Sequence, residues 1–113
     1  MPRGRPVKSQ IRQNIIELLF YIGEGYGYDI YRFYKKLFPR VTMRSIYYHL
    51  NKGIELGEFK VNRVQKEQGS YSWGGEAEKT YYSLGSNAKP SADTRLKEQV
   101  DKILRERAAK SNH

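Results

Sequence analysis

TMRSIYYHLNKGIELG, residues 42–57, decides the fold. At 100° per residue, Met43, Ile46, Tyr47, Leu50 and Ile54 gather on one side of a helix, and Arg44, Ser45, Tyr48, His49 and Lys52 on the other. The spacing predicts a helix from Thr42 to Leu56 that stops at Gly57. The apolar side is a core face. The polar side holds groups that suit base edges and phosphates: Arg44 can donate twice to guanine, and Ser45 and His49 can donate or accept. Tyr48 can touch a thymine methyl or a phosphate, Lys52 is placed for phosphate, and Thr42 at the helix start is counted with them. A solvated polar face has the same charge; the tyrosine and histidine left on it favour a reading surface.

Upstream, Gln10 to Ile22 follows Ser9, a good amino-terminal cap, and Ile11, Ile15, Leu18 and Ile22 form one buried stripe. The glycine-rich stretch Gly23-Glu24-Gly25-Tyr26-Gly27 has no Gly-Lys-Ser/Thr after it, so it reads as a connector and not a phosphate loop. A second helix is expected from Tyr28 to Phe38, with Ile30, Phe33, Tyr34 and Leu37 inside and Pro39 as its stop. Downstream, Glu58 to Val64 and Lys79 to Leu84 read as two strands joined by a long loop holding Gly69, Gly74 and Gly75. Three helices followed by such a hairpin predict an α+β fold, a winged helix-turn-helix with a two-stranded wing. Residues 10–88 form that domain.

Residues 89–113 begin as a loop and become a charged helix from about Asp93 to Lys110. Leu96, Val100 and Ile103, with Leu104 at the edge, make a stripe narrow enough to suggest a partner helix; the alternative is packing on the first helix of the same chain. Residues 1–9 form a basic arm. Pro2-Arg3-Gly4-Arg5-Pro6 is held extended by its prolines, and Gly4 allows close approach to a groove floor. Arg3 and Arg5 can enter a narrow A·T-rich minor groove, with Lys8 and Arg12 beside them. The core resembles the AT-hook; a plain basic tail is the other reading.

Composition points to a polyanion. The chain has 113 residues, 21 Lys and Arg against 12 Asp and Glu, and a net charge of +9. Its sequence pI is near 9.8, which favours nucleic acid, an anionic membrane or an acidic protein. No stretch is apolar enough for a membrane span or a signal peptide, so a cytoplasmic protein is expected. The absence of cysteine removes disulfides, thiolate nucleophiles and zinc fingers, and with His49 and His113 as the only histidines no metal site is credible. No cofactor is expected. The acids are scattered and His49 has no carboxylate partner, so the chain does not read as an enzyme.

The sequence resembles the PadR family of transcriptional regulators. The residues that carry the likeness are Tyr26-Gly27-Tyr28-Asp29-Ile30, Ser45-Ile46-Tyr47 with Leu50, Leu56-Gly57, and Lys79-Thr80-Tyr81-Tyr82-Ser83-Leu84, over about residues 10–104. The resemblance implies a homodimer held by the last helix, with two third helices along a two-fold DNA site. It also leaves open a flat aromatic effector at the dimer interface, although the ten tyrosines are explained more simply as packing. The chain departs from the family at Tyr47-Tyr48, where a Tyr-Pro step is usual. It departs again at the wing turn Gly75-Glu76-Ala77-Glu78, whose acids oppose phosphates. Wing contacts with DNA then fall to Lys60, Arg63, Lys66 or Lys79. Trp73 suits base stacking, partner docking or pinning of the hairpin. Double-stranded DNA with A·T-rich flanks is the expected partner, for a regulator of transcription. An architectural DNA binder and a factor for structured RNA or the ribosome are the alternatives.

Overall fold

The computed structural model describes residues 9–38, 40–68 and 76–111. The arm residues Arg3, Gly4, Arg5 and Lys8, the helix stop Pro39, Trp73 and the side chains of Glu76 and Glu78 lie outside the described residues. The chain runs α1 (Gln10–Ile22), β1 (Gly25–Tyr26), α2 (Gly27–Leu37), α3 (Met43–Leu56), β2 (Phe59–Gln68), β3 (Glu76–Leu84) and α4 (Thr94–Ser111). The strands form one antiparallel sheet in the order β1-β3-β2.

The connector expected at Gly23 to Gly27 is in part a strand. Gly25 pairs with Tyr82 and Tyr26 with Tyr81, which adds a third strand to the expected two-stranded wing. Two residues are too few to show a period of two, so nothing in the pattern could announce β1. The hairpin is also longer than its apolar run. β2 and β3 stay in register out to Gln68 opposite Glu76, with one irregularity between Val61 and Arg63. Glu78 therefore sits across from Lys66 in the ladder, and Glu76 and Glu78 belong to a paired strand and not to the turn.

α1 is the central helix. Its expected single stripe is instead a broad buried surface, Ile15 to Leu19, because α2, α3, α4 and β3 all pack around it. Ser9 caps its start, accepting a hydrogen bond from the Arg12 amide. The core joins Ile15, Leu18 and Leu19 of α1 to Ile30 and Phe33 of α2, Ile46 and Leu50 of α3, Phe59 and Tyr82 of the sheet, and Leu96, Val100 and Ile103 of α4. That last contribution corrects the reading of α4 as a helix awaiting a partner. Val100 is 0% exposed and Leu96 and Ile103 are each 6%, all within the one chain; Leu104 alone remains open, at 39%. A narrow stripe suffices here because α1 supplies a wide apolar surface to receive it. Full burial of a valine is worth about 1.5–3 kcal/mol.

Polar ties fix α4 in place. Arg107 meets the Asp29 carboxylate in the first turn of α2 and lies 4.4 Å from the Phe33 ring centre. Tyr21 donates to the Asp93 carbonyl. Buried Glu17 accepts from the Ser91 amide at 2.7 Å and from Gln13 at 2.8 Å.

Candidate nucleic-acid interface

α3 begins at Thr42, whose hydroxyl accepts from the Ser45 amide at 3.0 Å. Thr42 is therefore a cap first; its oxygen is engaged by the helix before any ligand arrives. The helix ends at Gly57 with φ 78°, in the left-handed region that glycine enters without penalty. Gly57 turns the chain directly into β2, and the Gly85 amide closes the sheet end on the Glu58 carbonyl at 2.8 Å.

The buried side of α3 is Ile46, Leu50 and Gly53. Gly53 is required by contact: a Cβ there would run into the Phe59 ring, so this fully buried ring of the sheet lies against bare backbone. This seating turns the helix slightly from the orientation expected of it. Met43 is only partly buried. Tyr47 and Ile54, read as core, are exposed. Ser45 and His49, read as open, are half-buried. The side that faces solvent is Arg44, Tyr48, Asn51 and Glu55, with Lys52 at its flank. Asn51 was missed by sequence reasoning, although its place on the wheel beside Arg44 and Tyr48 marks it, and an asparagine amide can pair with adenine. Glu55 was missed as well, and it lies 3.7 Å from Lys52.

His49 sits at the joint between α3 and α1. Its Nε2 is 3.4 Å from the Ser9 hydroxyl, its ring meets Tyr48 edge-on at 5.0 Å, and its Nδ1 is buried without a partner. Burial, and then the charge of Arg12, holds its pKa below the ordinary histidine value. The ring is half-buried at this joint, where the reading of it as a base reader expects it open.

Arg12 is also committed. Its Nε lies 2.6 Å from Glu58 Oε1 and its side chain is 13% exposed, so it ties α1 to the entry of β2. Arg63 on the wing is held by Glu24, with Nη2 at 2.7 Å from Oε2, and its guanidinium lies 4.0 Å over the Tyr81 ring. Hydrogen bonds from Arg63, and then from Asn62, lower the Glu24 pKa. Lys60 is exposed on β2 opposite Ser83. Of the residues expected to meet nucleic acid, the fold brings Arg44, Tyr48 and Lys52 together on α3. Arg12 and Arg63 stand apart from them, each paired with an acid.

Among the described residues no group of His, Asp and Glu is arranged to hold a metal ion, and no helix is long and apolar enough to cross a membrane. The arrangement of α1, α2, α3 and the β2–β3 hairpin, with α4 laid across α1 and α2, is an α+β winged helix-turn-helix. No protein-family model and no curated protein matches the chain. Among solved structures, a PadR family transcription regulator from hypervirulent Clostridium difficile R20291 is similar to it with a TM-score of 0.43 and 17% identity, covering 86% of this chain and 94% of that one.

Proposed function

We propose that this chain is a DNA-binding regulator of transcription that lays α3 in the major groove, with the Arg3-Gly4-Arg5 arm in an adjoining A·T-rich minor groove. The observation that carries the reading is the division of α3. Ile46, Leu50 and Gly53 are buried in the core while Arg44, Tyr48 and Asn51 face outward together, on a helix capped by Thr42 and ended by Gly57. A helix fits the major groove of B-form DNA, and these three side chains can address guanine, a thymine methyl and adenine. The net charge of +9 supplies affinity that does not depend on sequence. Two copies on a two-fold site would present two such helices, and Leu104 of the α4 stripe is left open for their pairing.

Selection from random duplexes, followed by affinity measurements on the winning site, tests the reading. A defined motif should emerge, and Arg44→Ala should cost about 1–3 kcal/mol on it and relax the choice of one base. Arg3→Ala with Arg5→Ala should weaken binding chiefly where the flanks are A·T-rich. Equal losses on every duplex would make the protein an architectural binder. Recovery of structured RNA in preference to duplex DNA from a lysate would overturn the proposal.

A further inference from the structure

Beyond the α3 surface, we propose that the outer face of α2 is a separate binding surface for single-stranded nucleic acid, with bases resting on Tyr28 and Tyr31 and phosphates on Arg32, Lys35 and Lys36.

α2 is divided as sharply as α3. Ile30, Phe33 and Tyr34 are buried. On the other side Arg32, Lys35 and Lys36 are exposed, Tyr28 is 50% exposed, and Tyr31 is half-buried beside it. The two tyrosine rings lie 6.1 Å apart with a tilt of 37°. The Arg32 guanidinium is 5.8 Å from the Tyr28 ring centre and the Lys35 ammonium 5.0 Å from that of Tyr31. Aromatic rings interleaved with cations at helical spacing are what an unpaired strand needs, since its bases are free to stack and its phosphates follow at close intervals. The one acid of the helix, Asp29, is drawn away to Arg107 of α4, so no carboxylate of α2 competes for the cations.

A merely solvated helix looks different. α4 mixes signs on its open side, as in the pair Lys97 and Asp101, whereas the α2 face carries one sign and two tyrosines. The ladder also leads to a receptacle. Between the end of α2 and the start of α3 lies a shallow concavity of about 410 Å³ lined by Lys35, Phe38, Arg40, Val41 and Thr42. Its walls are apolar at Phe38 and Val41 and cationic at Lys35 and Arg40, which suits the face of one base and its phosphate. Duplex DNA buries its base faces, so it would use the charges here and leave the tyrosines idle. That difference separates this surface from the α3 site.

Fluorescence anisotropy of the full chain with labelled oligothymidylate, oligouridylate and a mixed-sequence duplex tests the proposal. Tyr28→Ser with Tyr31→Ser should weaken single-strand binding about tenfold or more and change duplex binding less than twofold. Arg44→Ala should do the reverse. Because Tyr31 is half-buried, Tyr28→Ser alone repeats the test at an exposed position, with an expected loss of about fivefold. Arg32→Ser with Lys36→Ser should flatten the salt dependence of single-strand binding. Tighter binding of the thymidylate or the uridylate tells whether the strand is DNA or RNA, and either supports the proposal. Absence of oligonucleotide binding at low salt, or equal losses on strand and duplex from the tyrosine changes, overturns it. Neither result bears on the major-groove reading, which rests on the outward face of α3 and is tested on duplex by Arg44→Ala.

Discussion

Glu24 and Arg63 form a forked ion pair. The Arg63 Nη2 lies 2.7 Å from Glu24 Oε2, and its Nε is 3.2 Å from both carboxylate oxygens. Glu24 stands in the link between α1 and β1, and Arg63 follows the irregularity in β2, so the pair fastens the wing strand to the body of the domain. Asn62 donates to the same carboxylate at 2.7 Å. A wing cation read from sequence as a phosphate contact is thus already compensated inside the protein. Glu24→Gln should free that charge. If Arg63 then reaches a phosphate, the slope of log K against log salt on duplex DNA should steepen by about 0.9. An unchanged slope would show that Arg63 serves the sheet alone.

The close approach of α3 to the sheet gives a sharper test of the fold. Glycine inside a helix ordinarily costs about 1 kcal/mol relative to alanine, so Gly53→Ala should stabilise on propensity alone. The Phe59 ring occupies the space a Cβ needs, and forcing it aside should cost about 1–3 kcal/mol. The packing term outweighs the propensity term. Gly53→Ala is expected to lower the midpoint of thermal unfolding, while Asn51→Ala, exposed two residues earlier on the same helix, should leave it the same or raise it slightly.

The strongly periodic elements were legible and the contacts between elements were not. α3 was readable to within one residue because a capping threonine, an apolar repeat and a terminal glycine agree. α2 and the strand pair were readable for similar reasons. β1 was hidden by its length. The side chains of Arg12 and Arg63 looked like free cations because their partners, Glu58 and Glu24, lie 46 and 39 residues away, and no local pattern links such pairs. His49 was misplaced because the wheel shows which side of a helix is apolar and says nothing of a neighbour such as Ser9 closing over its flank. For α4 the stripe is legible in the pattern but the breadth of the α1 surface that receives it is not, and that breadth decides whether the stripe needs a second copy.

Val100 separates those two uses of α4. Were the stripe an interface, Val100→Glu would give a folded monomer. Buried among the core residues of α1 and α2, it should instead unfold the chain or cost several kcal/mol, since a carboxylate would be placed in apolar surroundings without a partner. Circular dichroism at low and high protein concentration distinguishes the outcomes, because loss of helix at every concentration belongs to the core and not to an interface. Leu104→Glu, at the exposed edge, should leave the fold intact. Sedimentation of that variant then reports any pairing that uses Leu104.

His49 gives the fold a pH dependence of known sign. Its pKa in the folded chain lies below the ordinary histidine value, first through burial and then through the charge of Arg12. Unfolded chains therefore bind the proton more readily than folded ones, and stability rises with pH wherever that difference exists. Above the ordinary value, about 6.5, both states hold a neutral ring and no penalty applies. As pH falls below it the unfolded state gains protons first and stability drops, until the folded ring is protonated as well and the loss is complete. The carboxylate of Glu24, held low by Arg63 and Asn62, titrates on the acid side of this window. Thermal unfolding between pH 8 and pH 5 should show a falling midpoint, and His49→Gln should remove part of that slope while keeping a polar group beside Ser9. A slope identical in the variant would mean that the imidazole escapes from the α1–α3 joint when it takes up its proton.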